Sequence, residues 1–178
     1  KSNKILFIGS LRKRKRIDVL LNAIKIANQN NEFFSLDIIG DGPQKNYLKS
    51  LSKELNIDEN IHFHGQVDCS ENKEKIISGS FLSVSLGQAG LSILESMSYG
   101  IPFLTAKNAI SGGEVDNIIN DYNGFLIDDF KDSKFVAKKI IEIKNMSELK
   151  NVSYNSYDYF CNFANGDLMV ERFKDIVG

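Results

Sequence analysis

A glycine-rich turn and one carboxylate lie close together in residues 87–95. The turn Gly87–Gly90 follows an apolar run, Phe81–Leu86, and precedes a predicted helix of about ten residues that ends at Gly100. Glycines let a ligand approach the backbone, and a helix N-terminus offers free N–H groups to an anion. Because helical side chains lean toward the N-terminus, Glu95 should point back at this turn. The pattern fits a nucleotide, with phosphate on the helix end and ribose on Glu95, or an ordinary strand–helix crossover with a solvated carboxylate.

Five consecutive cations, residues 12–16, follow a second turn at Gly9-Ser10. Positive charge there could face a pyrophosphate, and a nucleoside diphosphate needs that charge most when it leaves. The alternative is a solvated helix start, although cations at that end oppose the helix dipole. We expect Lys15 to lie in a site and most of the other four side chains to be solvated.

Other groups carry weaker signals. His62 and His64 share one face of a short predicted strand, which could suggest a metal site. Zinc requires roughly three or four ligands, and no pattern of Cys, His or acidic residues supplies the rest. No metal site is therefore expected. The segment Gly112–Glu114 either brings backbone amides to a ligand or turns a corner. Neither a complete G-x-G-x-x-G fingerprint nor a P-loop is present.

The elements that must position these residues alternate between apolar strands and amphipathic helices. The predicted strands and helices occupy residues 4–8, 17–27, 34–39, 43–55, 61–64, 70–78, 81–86, 91–99, 101–105, 124–127, 132–145 and 167–177. Nearly continuous apolar strands favour a parallel sheet covered on both faces. We therefore predict an α/β protein with a Rossmann-like, doubly wound parallel sheet, whose ligands bind at the carboxyl ends of the strands.

Composition narrows the class of protein. The 178 residues suffice for one well-cored domain, and 42% hydrophobic with 25% charged residues is ordinary for a globular protein. A net charge of −1 argues against a nucleic-acid binder. Two cysteines without metal-site spacing fit a reducing, cytoplasmic location, and no apolar run is long enough to span a membrane. The start at Lys1, directly before a core strand, suggests a piece of a longer protein.

Five segments in order resemble the C-terminal domain of retaining GT-B glycosyltransferases, the group 1 or family 4 enzymes that include bacterial polysaccharide-assembly proteins. The segments are residues 5–15, 36–43, 61–65, 90–102 and 123–126. The resemblance implies that residues 1–164 bind a nucleotide diphosphate sugar of the UDP or GDP type without a metal or other cofactor. It also implies that residues 165–178 pack on a missing N-terminal domain, which would bind a saccharide or lipid-linked acceptor. Peripheral membrane association of the full-length protein is a further expectation.

The same resemblance assigns roles to residues. Lys15 falls on the lysine that contacts the donor diphosphate, and Glu95 falls on the second glutamate of the E-x7-E motif, which holds the ribose. The catalytic residues expected in this way are Lys15, Arg12 and Arg14. The expected donor-binding residues are Gly9, Ser10, His64, Gly65, Gln66, Gly87, Gln88, Ala89, Gly90, Leu91, Ser92 and Glu95.

Two departures from the family pattern affect the expected function. Gly87 stands where the first motif glutamate should be, and Ser10 and Arg16 replace an arginine and a glycine. A branch of bacterial O-antigen and capsule transferases looks similar at Gly87, which favours an active variant. The alternative is a degenerate, non-catalytic nucleotide-sugar-binding or scaffold module. A flavodoxin-like regulatory domain is disfavoured because the first turn is basic rather than acidic.

Overall fold

The computed structural model of the protein describes residues 2–165. Six strands form one parallel sheet in the order β3-β2-β1-β4-β5-β6. The strands are β1 Lys4–Ile8, β2 Ser35–Ile39, β3 Ile61–Gly65, β4 Ser80–Val84, β5 Phe103–Ala106 and β6 Gly124–Ile127. This confirms the predicted α/β class with a Rossmann-like sheet. The expected helix at 167–177 lies outside the described residues.

Within residues 2–165, six α-helices cover the sheet. They are α1 Ile17–Gln29, α2 Lys45–Glu54, α3 Ser70–Ile77, α4 Ser92–Ser98, α5 Ser133–Asn145 and α6 Leu149–Tyr159, with 3-10 turns at Lys13–Lys15, Asp58–Asn60 and Glu114–Asn117 and a π-helical turn at Phe160–Ala164. The inner strands are buried on both faces, as β1 illustrates, where Phe7 and Leu6 belong to separate core clusters. This double burial explains their nearly continuous apolar sequences.

Helix α4 is shorter than the sequence predicts, with seven residues instead of about ten. Its first turn tightens where the N–H of Ile93 donates to the carbonyl of Gly90. It ends before Gly100, whose φ of 67° is left-handed and suits glycine. Two serines within α4, Ser96 and Ser98, also donate hydrogen bonds to carbonyls of its own backbone, Ser96 Oγ to the carbonyl of Ser92 at 2.8 Å. Such bonds compete with regular helix extension.

The strand order places the switch point between β1 and β4. Strand β1 pairs with β2 on one side and β4 on the other, so the turns after β1 and β4 meet at the same edge of the sheet. These are the turns beginning at Gly9 and Gly87 that the sequence singles out. In open α/β sheets this crevice is where ligands bind.

The motif Gly40-Asp41-Gly42-Pro43 after β2 supports the first turn. A Cβ atom on Gly40 would overlap the carbonyl oxygen of Gly9, and one on Gly42 would lie 2.7 Å from backbone atoms of Leu11. Both glycines also have positive φ. They are therefore needed where two backbones meet beneath the site.

Candidate nucleotide-binding site

Lys15 lies at the end of β1, under the crevice. The 3-10 turn Lys13–Lys15 folds its side chain back so that Nζ lies 3.6 Å from where a Cβ atom on Gly9 would be. The residue is only 8% exposed. A Cβ atom at position 9 would make only an ordinary contact with the lysine, so it is the positive φ of 144° that favours glycine here.

The charge of Lys15 is poorly compensated by its surroundings. Burial lowers the pKa of the Lys15 ammonium below its ordinary value, and the neighbouring charge of Arg14 lowers it further, while Glu114 acts in the opposite direction. Within residues 2–165 no carboxylate lies within ion-pair distance of Lys15. A bound anion would stabilise a buried cation that has no acidic partner.

The other cations of residues 12–16 differ from Lys15. Arg12, Lys13 and Arg14 are exposed. Arg16 instead has a structural role, because its guanidinium pairs with Asp18 at 3.1 Å and lies 5.9 Å from the ring centre of Phe130. Lys15 is thus the buried one of the five cations, and the nearby charge of Arg14 lowers its pKa.

The turn after β4 offers unpaired backbone donors. Among the described residues, the N–H groups of Gly90 and Leu91 have no hydrogen-bond acceptor. The hydroxyl of Ser92 at the start of α4 is buried and also lacks a partner in that part of the chain. Leu91 is 74% exposed, whereas Ala89 is fully buried and its N–H donates to the carbonyl of Ile110. Gln88 joins the turn to Ile110 by a β-bridge.

Gly87 is a packing position in this chain. A Cβ atom on Gly87 would overlap the carbonyl oxygen of Arg14 and would lie 2.7 Å from Cγ of Arg16. The two turns at the switch point therefore touch through this glycine. The basic segment, residues 12–16, fills the space that the Cβ atom of a side chain at position 87 would occupy.

Glu95 is joined to a cavity by a lysine that sequence reasoning missed. Lys73 Nζ of α3 donates a hydrogen bond to Glu95 Oε1 at 2.7 Å, and both side chains are partly exposed. A cavity of about 290 Å³ lies over the carboxyl ends of β1 to β3. It is lined by Ile8, Gly9, Ser10, Ile39, Gly40, Asp41, Gln66, Val67, Asp68 and Lys73.

The end of β3 forms another wall of this cavity. Gly65 has a left-handed φ of 72°, and Gln66 lines both this cavity and a neighbouring one of about 520 Å³. His64 faces the neighbouring cavity, and its Nε2 lies 2.5 Å from Oδ1 of buried Asp37. Asp37 also pairs with Lys4 at 3.0 Å. His64 is thus held by a buried carboxylate, and no group of three metal-ligating side chains occurs in residues 2–165.

Glu114 is a second residue that sequence reasoning did not assign. Its Oε2 accepts a hydrogen bond from the N–H of Gly112 at 2.6 Å, and its Oε1 lies 3.7 Å from where a Cβ atom on Gly90 would be. The sequence singled out Gly112–Glu114 but left its role open. The structure puts this carboxylate beside the turn after β4 and close enough to affect the pKa of Lys15.

The geometry can now be compared with known proteins. Residues 1–158 match the family described as Glycosyl transferases group 1. The chain is 31% identical over 170 residues to the O-antigen biosynthesis glycosyltransferase WbnH of Escherichia coli, covering 96% of this chain and 44% of that protein. It is 31% identical over 153 residues to the N-acetyl-alpha-D-glucosaminyl L-malate synthase of Bacillus anthracis, covering 83% and 38%. The chain therefore spans less than half of these curated relatives.

Solved structures show the same fold. The pneumococcal O-GlcNAc transferase GtfA in complex with UDP and GlcNAc superposes with a TM-score of 0.82 at 21% identity, covering 98% of this chain and 35% of that one. The C-terminal domain of the group 1 family protein LpcC from Francisella tularensis gives 0.75 at 22% identity, covering 92% and 86%. No helix in residues 2–165 has the length and apolarity to cross a membrane. The chain belongs to the glycosyl transferases group 1 family and has the Rossmann-like fold of GT-B glycosyltransferases.

Proposed function

We propose that this chain is the donor-binding half of a retaining glycosyltransferase and binds a nucleotide diphosphate sugar of the UDP or GDP type. The observation that carries the proposal is the buried ammonium of Lys15, which lies at the switch point without an acidic partner among the described residues. A bound diphosphate would supply the negative charge that this cation lacks. The relative GtfA, which shares the fold, was solved with UDP.

In the proposed site, the turns that follow different strands bind different parts of the donor. Lys15 and the free N–H groups of Gly90 and Leu91 would hold the diphosphate, because all are donors without acceptors of their own. Glu95 would accept hydrogen bonds from the ribose. The backbone from Gly65 to Val67 would meet the base at the end of β3. Ser10 lines the same cavity beside the diphosphate position.

The proposed reaction breaks the bond between the sugar and the diphosphate oxygen and forms a bond from the sugar to an acceptor hydroxyl on the same face. The leaving diphosphate oxygen takes the proton of that hydroxyl, so this half needs no carboxylate base. Lys15 stabilises the charge that grows on the leaving group, an effect worth ~2–4 kcal/mol by comparison with other lost oxyanion donors. Arg12 and Arg14 would add long-range positive charge from the surface.

The acceptor is proposed to be a saccharide or lipid-linked molecule bound by the rest of the full-length protein. The first support is that the chain covers 44% of WbnH, whose name places it in O-antigen biosynthesis. The second is that the chain likewise covers only 35% of the pneumococcal O-GlcNAc transferase GtfA, which shares its fold. On this proposal the 178-residue chain binds donor but does not transfer sugar alone.

Thermal unfolding of the chain with UDP, GDP, ADP, CMP and TDP tests the proposal. A ligand at about 100-fold over its Kd adds ~2.7 kcal/mol to the free energy of unfolding, which raises the Tm by several degrees. We expect a rise with one base that is unaffected by magnesium and much reduced in Glu95→Ala. Failure of all five nucleotides to raise the Tm would contradict donor binding.

A non-catalytic nucleotide-sugar-binding module is the second candidate. It is favoured by one observation, the glycine at position 87 where the family motif has an acid, with the adjacent space filled by Arg14 and Arg16. Both candidates bind the nucleotide, so activity of the full-length protein separates them. Transfer that Lys15→Ala reduces strongly would support the enzyme, and nucleotide binding without transfer or donor hydrolysis would support the module.

A further inference from the structure

Lys73 is placed to act in the same site as Glu95, although it comes from a different helix. The Lys73 ammonium lies 2.7 Å from Glu95 Oε1, and the two side chains retain 25% and 31% exposure. Lys73 also lines the cavity of about 290 Å³ together with Gly9, Ser10 and Gln66. Lys73 therefore lies in the wall of a concave site and holds Glu95 beside it, unlike the pair Lys107–Asp128, whose side chains are 56% and 80% exposed.

The pair brings both kinds of hydrogen-bonding group together beside the cavity. A carboxylate only accepts hydrogen bonds and an ammonium only donates them. The contact with Lys73 uses one of the oxygens of Glu95 and one of the three N–H groups of the lysine. Glu95 Oε2 and two N–H groups of Lys73 thus remain for a ligand. Adjacent hydroxyls match this arrangement because each hydroxyl can donate and accept.

The charge of Lys73 also allows a carboxylate to serve in an anion site. A carboxylate near the diphosphate would repel it, and an ammonium group in direct contact offsets that repulsion. The hydrogen bond further fixes the Glu95 side chain before any ligand arrives. Pre-positioning lowers the entropic cost of binding.

We propose that Lys73 is a specificity-determining partner of Glu95, donating to the ribose 2′-hydroxyl oxygen while Glu95 accepts from the neighbouring 3′-hydroxyl. The site is then selective for ribonucleoside over 2′-deoxyribonucleoside diphosphates. This inference rests on the proposed donor-binding function and adds to it a residue and a substrate preference.

Titration calorimetry of the 178-residue chain with UDP, 2′-deoxy-UDP, GDP and 2′-deoxy-GDP tests the inference. A lost hydrogen bond to a charged group corresponds to a preference of about tenfold or more for the ribo form. We expect Lys73→Met to bring this ratio close to unity and Lys73→Arg to keep part of it. Both variants should fold, because a partly exposed ion pair contributes little to stability.

Lys138→Met is the matched control, because it also breaks a lysine–glutamate pair, Lys138–Glu142, on α5. It should leave the affinity and the ratio unchanged. If Lys73→Met weakened both sugar forms equally, Lys73 would contribute only charge and the inference would be wrong. An unchanged ratio and affinity would also overturn it. If the unmodified chain bound none of the four probes, the proposed function itself would fail.

Discussion

The Cγ atom of Arg16 lies 2.7 Å from the position that a Cβ atom on Gly87 would occupy. Arg16 has a left-handed φ of 56° and is held there by Asp18 and by the ring of Phe130. The carbonyl oxygen of Arg14 approaches Gly87 even more closely. The turn that carries Lys15 therefore packs directly on the turn after β4, and the glycine at position 87 is what lets them meet.

Gly87→Ala is expected to destabilise the fold, because its Cβ atom would collide with backbone that cannot rotate away. Overpacking of this kind costs about 1–3 kcal/mol, measurable by urea unfolding. Gly90→Ala is the control for stability, since its nearest described neighbour is an ordinary 3.7 Å contact with Glu114. Equal stability of the two variants would show that the turns are not packed as described.

Lys15→Met is expected to stabilise the ligand-free chain while removing binding of nucleoside diphosphate. The lowered pKa of Lys15 shows that the folded environment disfavours its charge, so an apolar side chain of similar length relieves a cost. The Tm without nucleotide should rise, and the nucleotide-dependent rise should vanish. A lower Tm together with unimpaired UDP or GDP binding would contradict both the burial and the role of Lys15.

The pH dependence of the free energy of unfolding should reflect the lowered pKa of Lys15. Its pKa is lower in the folded than in the unfolded chain, so between the two values the unfolded chain binds more protons. Stability from this group therefore rises with pH across that window, and the penalty is fully present below it. Comparing urea unfolding of the unmodified chain and Lys15→Met from pH 7 to 10.5 isolates the contribution. A difference between them that stays constant with pH would contradict the shift.

Glu114→Gln is expected to raise the affinity for nucleoside diphosphate a few-fold at pH 7, because it removes a negative charge beside the anion site. The same change removes the influence that raises the pKa of Lys15, so affinity should decline at a lower pH than in the unmodified chain. Calorimetry across pH measures both effects. Glu142→Gln on α5 is the control, and a weaker affinity in Glu114→Gln would instead assign Glu114 to the binding of the donor.

Asn123 is expected to support the fold rather than the donor. It is fully buried, its Oδ1 accepts from the N–H of Ile119 at 2.8 Å, and its Nδ2 donates to the carbonyl of Asn117 at 3.0 Å. Asn123→Ala leaves the N–H of Ile119 and the carbonyl of Asn117 without partners. It should lower the free energy of unfolding, measured with urea, by roughly 2–3 kcal/mol. Asn155→Ala, which breaks an exposed bond to Tyr122, should cost far less. Similar losses in both variants would contradict this assignment.

The sequence by itself determined the α/β class, the positions of the strands and the two turns at the switch point. Apolar runs ended by glycine at Gly9 and Gly87 are local signals, because a strand buried on both faces needs apolar residues throughout and a close turn needs glycine. The family resemblance assigned Lys15 to the donor site, and the structure adds that this residue is buried. The roles in donor binding and catalysis assigned to it and to the other site residues remain predictions.

Only the tertiary structure decided which side chains meet across elements. Lys73 and Glu95 are 22 residues apart on different helices, and nothing in the pattern of α3 distinguishes Lys73 from a solvated lysine. His64 pairs with Asp37 only because β3 lies next to β2, and Glu114 reaches the site through a loop without periodicity. Periodicity reports which face of an element is buried, but the partner on the other side depends on strand order and helix packing. Those arise from the chain as a whole.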